Sequence, residues 1–102
     1  MSLQTTPIRT FGDLRDRVAS EATSLCLAEA DFVPDFFDLR TGLAGEIFQK
    51  CVNYRLPLAI VLVDPARHGE RFAELAYEHR RHPMIRFFPS QDAAEAWLRT
   101  VG

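Results

Sequence analysis

Lysine is nearly missing from this chain: eleven of its twelve cationic side chains are arginine, and Lys50 is the exception. The formal charge is −2, so no overall field draws a nucleic acid, and none is expected as a partner. Long apolar runs are missing too. The longest, Leu58 to Val63, is far too short to cross a membrane. The opening Met1 to Phe11 lacks the apolar centre of a signal peptide, so a cytoplasmic setting is expected. Cysteine is scarce. Cys26 and Cys51 read as small buried apolar residues in a reducing compartment rather than as a disulfide. There is no internal repeat and no low-complexity segment. There is no Gly-x-Ser-x-Gly elbow, and Thr41-Gly42-Leu43-Ala44-Gly45 lacks the spacing and the lysine of a phosphate loop. Neither cysteine has a histidine close in sequence. No catalytic residue and no cofactor is therefore nominated, and nothing positive supports an enzyme.

What is present is patterned for folding. At 102 residues and 47% hydrophobic content, one domain over residues 1–102 is expected, with residues 1–6 a loose tail. Pro7 to Thr10 could add a short edge strand. Asp13 to Ala22 reads as a helix, with Phe11, Leu14, Val18 and Ala22 along one face. Ser24 to Ala28 reads as a strand. Asp31 to Leu39 bridges onward through one helical turn begun by Pro34, and its Phe32, Phe36 and Phe37 need burial. Asp38 to Gly42 is a turn, and Thr41 is the expected N-cap of a helix over Leu43 to Tyr54. Gly45 inside that helix costs about 1 kcal/mol against alanine, which suggests another backbone close by. Glu46, Gln49, Lys50 and Asn53 form the helix's polar face. Pro57 stops the helix before the strand Leu58 to Val63. A third helix is expected over Arg67 to Arg81, with Phe72, Leu75, Ala76 and His79 on one stripe. A strand follows over Met84 to Phe88, then a helix capped by Ser90, with Ala93, Trp97 and Val101 inward beside Ala94 and Leu98. This alternation gives an α/β fold: a small, mainly parallel sheet of roughly three to four strands with flanking helices. Surplus phenylalanine and open sheet edges suggest a homodimer or a protein partner.

Two resemblances sit on these residues. Phe36-Phe37-Asp38-Leu39-Arg40-Thr41-Gly42-Leu43-Ala44-Gly45-Glu46, then Gln49-Lys50 and Asn53-Tyr54-Arg55, resemble the hallmark of the bacterial domain of unknown function 4180 family. The likeness continues through Leu58-Ala59-Ile60-Val61, Phe72, Tyr77-Glu78 and Phe87-Phe88-Pro89, from about Ile8 onward. Where that family tends to have Gly-Asp-Phe-Ser, this chain has Val63-Asp64-Pro65-Ala66; where it tends to have Glu-Ser-Asn, this chain has Glu78-His79-Arg80. No ligand contact is carried over to those positions. A looser likeness is architectural. Phe37-Asp38 followed by Thr41-Gly42-Leu43 is similar to the aromatic or aliphatic, Asp-Ser-Ser-Gly-Leu segment of STAS domains, with one extra residue between Asp and Gly. That resemblance implies a STAS-like regulatory module acting through a protein partner, with Thr41 as the matching phosphoacceptor.

The working surface expected from these readings is Asp38, Arg40, Thr41, Gly42 and Glu46, with Asp64 near by. In open α/β sheets, sites form beyond the carboxyl ends of strands. That rule would gather Glu29, Asp31, Asp64 and Ser90 with the helix start at Thr41 and Gly42 into a polar cleft. A small-molecule sensor using this cleft is the alternative to partner binding, and plain caps and turns are the bland one. Glu78, His79, His82, Arg80, Arg81 and Arg86 form the densest charged cluster. Two histidines without a third ligand are too few for a closed metal site, so no metal is expected.

Overall fold

The computed structural model describes residues 7–17 and 23–101. Its helices are α1 (Phe11–Arg17), α2 (Leu43–Asn53), α3 (Glu70–Glu78) and α4 (Gln91–Val101), and its strands are β1 (Leu25–Ala28), β2 (Leu58–Val61) and β3 (Ile85–Phe88). The three strands form one parallel sheet in the order β1-β2-β3. Leu25, Leu58 and Ile85 lie level across it, as do Leu27, Ile60 and Phe87. Parallel neighbours joined by helical crossovers are what the sequence pattern requires. Strand and helix ends move by a residue or two from the expected ones. Expected Val18 and Ala22 contacts, and the tail at residues 1–6, fall outside the described residues.

Side-chain alternation divides the sheet into two faces. Leu25, Leu27, Leu58, Ile60 and Ile85 join Leu14, Phe32, Phe36, Phe37, Ile47, Phe48, Cys51 and Phe72 in the larger core. Ala59 joins Ala94 and Trp97 in a smaller core, with Cys26, Val61 and Phe88 packed around it. Helix α4 thus covers one face, and α2 and α3 the other. Ile47, Cys51, Ile60, Phe72 and Trp97 are buried, while Val61, Leu75 and Phe87 are half-buried. Cys51 belongs to one core and Cys26 to the other, so the sheet separates the two free thiols. Burial pushes the Cys51 thiol up to about 12. That of Cys26 is raised too, by burial first and then by Glu95 and Asp31.

Several expectations need correction. The helix expected over Arg67 to Arg81 is two pieces, a 3-10 turn at Pro65–His68 and α3 from Glu70. Gly69 separates them with φ +106, a conformation L side chains rarely adopt. The N-cap of α2 is Gly42, left-handed at φ 76, and not Thr41. Thr41 ends a preceding 3-10 turn, Leu39–Thr41, and its hydroxyl still accepts from the Leu43 amide at 3.2 Å. Gly45 has open space where a Cβ would stand, so no backbone approaches it. Helix α2 ends before Pro57: Arg55 takes φ 54, the Leu56 amide donates to Cys51 and the Arg55 amide to Val52, closing the helix in a Schellman turn. The edge strand expected over Pro7 to Thr10 is a single bridge between Ile8 and Phe32. Phe32, Phe36 and Phe37 are buried against one another, so they supply no exposed apolar patch.

The sheet edges are partly occupied. The register and the Leu58-to-Met84 bond turn the Ile85 amide away from β2, where it donates to His82 Nδ1 at 3.1 Å. The Leu25-to-Pro57 bond likewise turns the Ala28 amide outward, and Asp31 Oδ2 accepts it at 2.7 Å. Pro89, the next outward position after Phe87, has no amide to offer.

Candidate functional site

Two segments leave the carboxyl ends of β1 and β2 and face each other across a groove. The first is the Pro34–Phe37 turn with the Leu39–Thr41 turn behind it; the second runs from the Pro65–His68 turn into α3. The groove has a volume of about 770 Å³ and is lined by Pro34, Phe37, Asp38, Leu39 and Arg40 on one side and His68 to Phe72 on the other. Pro34 starts the first wall because its fixed φ suits an initial helical position. Gly69 lets the second wall bend out of its 3-10 turn, so that both His68 and Arg71 line the groove.

His68 is the best-held polar group in it. Its ring stacks on Phe37 at 4.0 Å between centroids and meets the Phe72 ring edge-on. His68 Nε2 pairs with Glu29 Oε2 at 2.8 Å, and Arg67 approaches the same oxygen at 3.6 Å. A carboxylate at one ring nitrogen and an aromatic under the ring fix the imidazole's orientation. Opposite it, Arg40 clamps Asp38 through Nε and Nη2, at 3.0 and 2.9 Å, and adds its backbone amide. The Arg40 side-chain and backbone bonds hold the Asp38 carboxyl below the usual carboxylate range. Rim charge balances: Asp38 and Glu70 against Arg40 and Arg71. Among the described residues, no serine, threonine, cysteine, lysine or tyrosine lines the groove.

The expected site residues are distributed as follows. Asp38 and Arg40 line the groove; Thr41, Gly42 and Glu46 are exposed and do not line it. Thr41 Oγ1 lies 2.8 Å from the Asp35 carbonyl and 2.9 Å from that of Asp38, so its one proton serves the turn. Asp64 is turned elsewhere: it accepts from the Ala66 amide and lines a separate depression with Val63 and Tyr77. Asp31 holds the Ala28 amide, and the Ser90 hydroxyl accepts from Ala93 at the start of α4. The polar cleft of six such groups is therefore not assembled; only Glu29 reaches the groove, through His68. His68, Phe37 and Arg71 were missing from the expected site. A glycine at 69 was the available signal, since it breaks a helix run through Arg67 and exposes its flanks.

The histidine cluster has its own geometry. His79 and His82 stack at 5.0 Å, and His79 Nδ1 meets the Leu75 carbonyl at 2.9 Å. His82 Nδ1 accepts from both Met84 and Ile85, which requires its proton on Nε2 and leaves no lone pair there for a metal. Among the described residues no group of three metal-ligating side chains forms, and no helix is long and apolar enough to cross a membrane.

The family described as Domain of unknown function (DUF4180) matches residues 3–98. The chain belongs to that family. No curated protein and no solved structure matches it. For this DUF4180 domain the groove geometry therefore carries the functional argument.

Proposed function

We propose that this DUF4180 domain is a small-molecule sensor whose ligand occupies the groove between Asp38–Arg40 and His68–Phe72. The carrying observation is a cavity of about 770 Å³ beyond the carboxyl ends of β1 and β2. Ligand pockets commonly span about 300–1,000 Å³ and combine apolar walls with a few fixed polar groups. Here Phe37 and Phe72 supply the apolar part, and His68, Arg40 and Arg71 the polar part. Balanced rim charge favours a flat, weakly charged body over a polyanion. The cytoplasmic setting expected from the sequence belongs to this proposal, supported by two unpaired thiols.

Amide NMR with a panel of soluble aromatic and heterocyclic metabolites tests it. A binder should shift the Arg40, His68, Gly69 and Arg71 amides, and Arg71→Ala should weaken it. If no panel member binds, or shifts gather on another surface, the reading fails.

A second reading keeps the STAS-like analogy: a regulatory domain docking a protein partner on Asp38, Arg40, Thr41, Gly42 and Glu46. The Arg40 side chain, 89% exposed beside the exposed Thr41, favours it. A phosphate on Thr41 would remove the proton shared with the Asp35 and Asp38 carbonyls and place about two negative charges beside them. Thr41→Glu should then abolish binding of a partner recovered by affinity purification, whereas Thr41→Ser preserves it. Equal binding by Thr41→Glu would end the switch reading.

A further inference from the structure

The outward stripe of α3 is self-complementary. Glu70, Ala73 and Tyr77 are spaced three and four residues apart, and Arg80 continues that spacing just beyond the helix end. Tyr77 is 63% exposed, a large aromatic standing clear of either core. Shallow depressions flank it: one of about 380 Å³ reaching Val63 and Pro89, one of about 310 Å³ beside Ala73 and Glu74. The stripe is acidic at its start and basic at its end. No ion pair engages Glu70, Glu74 or Glu78 among the described residues. Arg80 is placed by its own helix, donating to the Tyr77 carbonyl with its guanidinium 3.8 Å over the Tyr77 ring.

We infer that α3 docks on the α3 of a second copy of this chain, antiparallel about a twofold axis level with Leu75. In an isologous interface residue i meets j while j meets i. Residues 73 and 77, and residues 70 and 80, are each symmetric about position 75. One register therefore sets Tyr77 against the partner's Ala73, a large side chain over a small one, and Glu70 against the partner's Arg80. Both matches occur twice. A parallel arrangement would bring like charges together. The inference is independent of the groove ligand, because the oligomeric state is read without one.

Sedimentation equilibrium of the full chain is the test. Wild type should show a concentration-dependent monomer–dimer equilibrium. Glu70→Arg and Arg80→Glu should each weaken it roughly tenfold or more, since each sets like charges together twice. An equimolar mixture of the two variants should dimerise again, because both contacts become attractive between unlike chains; the double variant should do so alone. Circular dichroism of these exposed substitutions reports whether each chain is folded. A wild-type monomer up to roughly millimolar concentration would overturn the inference. So would a dimer insensitive to either single substitution, or single variants that fail to recover on mixing.

Discussion

His82 holds two backbone amides, those of Met84 and Ile85, through one ring nitrogen, and can do so only while that nitrogen is unprotonated. Burial first, then His79 and Arg86, push the pKa of His82 below its ordinary 6.5. The unfolded chain therefore takes up its proton first as pH falls. The stability His82 supplies is complete above about 6.5 and is lost as pH falls from there toward the folded-state value. Denaturant titrations should show this slope in wild type. His82→Asn, whose Oδ1 can stand in for Nδ1, should flatten it. His82→Ala should cost about 1–3 kcal/mol at neutral pH by leaving the two amides without an acceptor. An unchanged slope in His82→Asn would assign the titration elsewhere. The sequence showed two histidines near a helix end, too few for a metal site. It did not show the tautomer, because that depends on the chain doubling back at Pro83 to offer its amides.

Two glycines carry opposite lessons at the scale of the element. Gly45 lies in the first turn of α2 with nothing where a Cβ would go. Gly45→Ala should stabilise the fold by about 0.5–1 kcal/mol, read as a higher denaturant midpoint at unchanged slope. Gly69, with φ +106 and ψ 162, holds a conformation nearly restricted to glycine, and Gly69→Ala should cost about 1–3 kcal/mol. Both would be neutral if backbone conformation did not matter at either site. Helix α2 was legible because Leu43, Ile47, Cys51 and Tyr54 fall at helical spacing; the stripe it buries is Ala44, Ile47, Phe48 and Cys51, and Tyr54 is exposed. The break at Gly69 was not read, because polar residues on both sides continue a plausible helical pattern. That one miss hid the second wall of the groove and with it His68. The Asp38–Arg40 wall was legible, since a turn with Gly42 and a polar run announces itself locally.

The whole molecule is three layers, with the sheet between unequal cores. Ile47, fully buried in the larger one, should cost about 2–5 kcal/mol as Ile47→Ala in denaturant unfolding. A loss well under 1 kcal/mol would mean α2 is free to shift. The parallel order followed from helices intervening between strands, which forbids tight hairpins. What no local pattern could supply was the meeting of Glu29 with His68, thirty-nine residues apart. That contact depends on how far each chain segment travels after its strand ends. The phenylalanines illustrate the same limit: their number suggested an adhesive surface, and packing turned them inward.

The amides that Asp31 and His82 occupy also bear on how the protein behaves when crowded. An open strand recruits further strands as a growing polymer end recruits monomer, and a plugged amide acts as a terminator. One of the two terminators is an imidazole nitrogen, and a proton on it removes the lone pair that holds the amides. Once His82 is protonated, the β3 margin recovers its Ile85 amide. Mildly acidic storage should therefore favour slow, seedable fibril growth over amorphous precipitation. Thioflavin fluorescence should rise in wild type before it does in His82→Asn, and simultaneous onset in the two would mean the margin of β3 is not where growth begins.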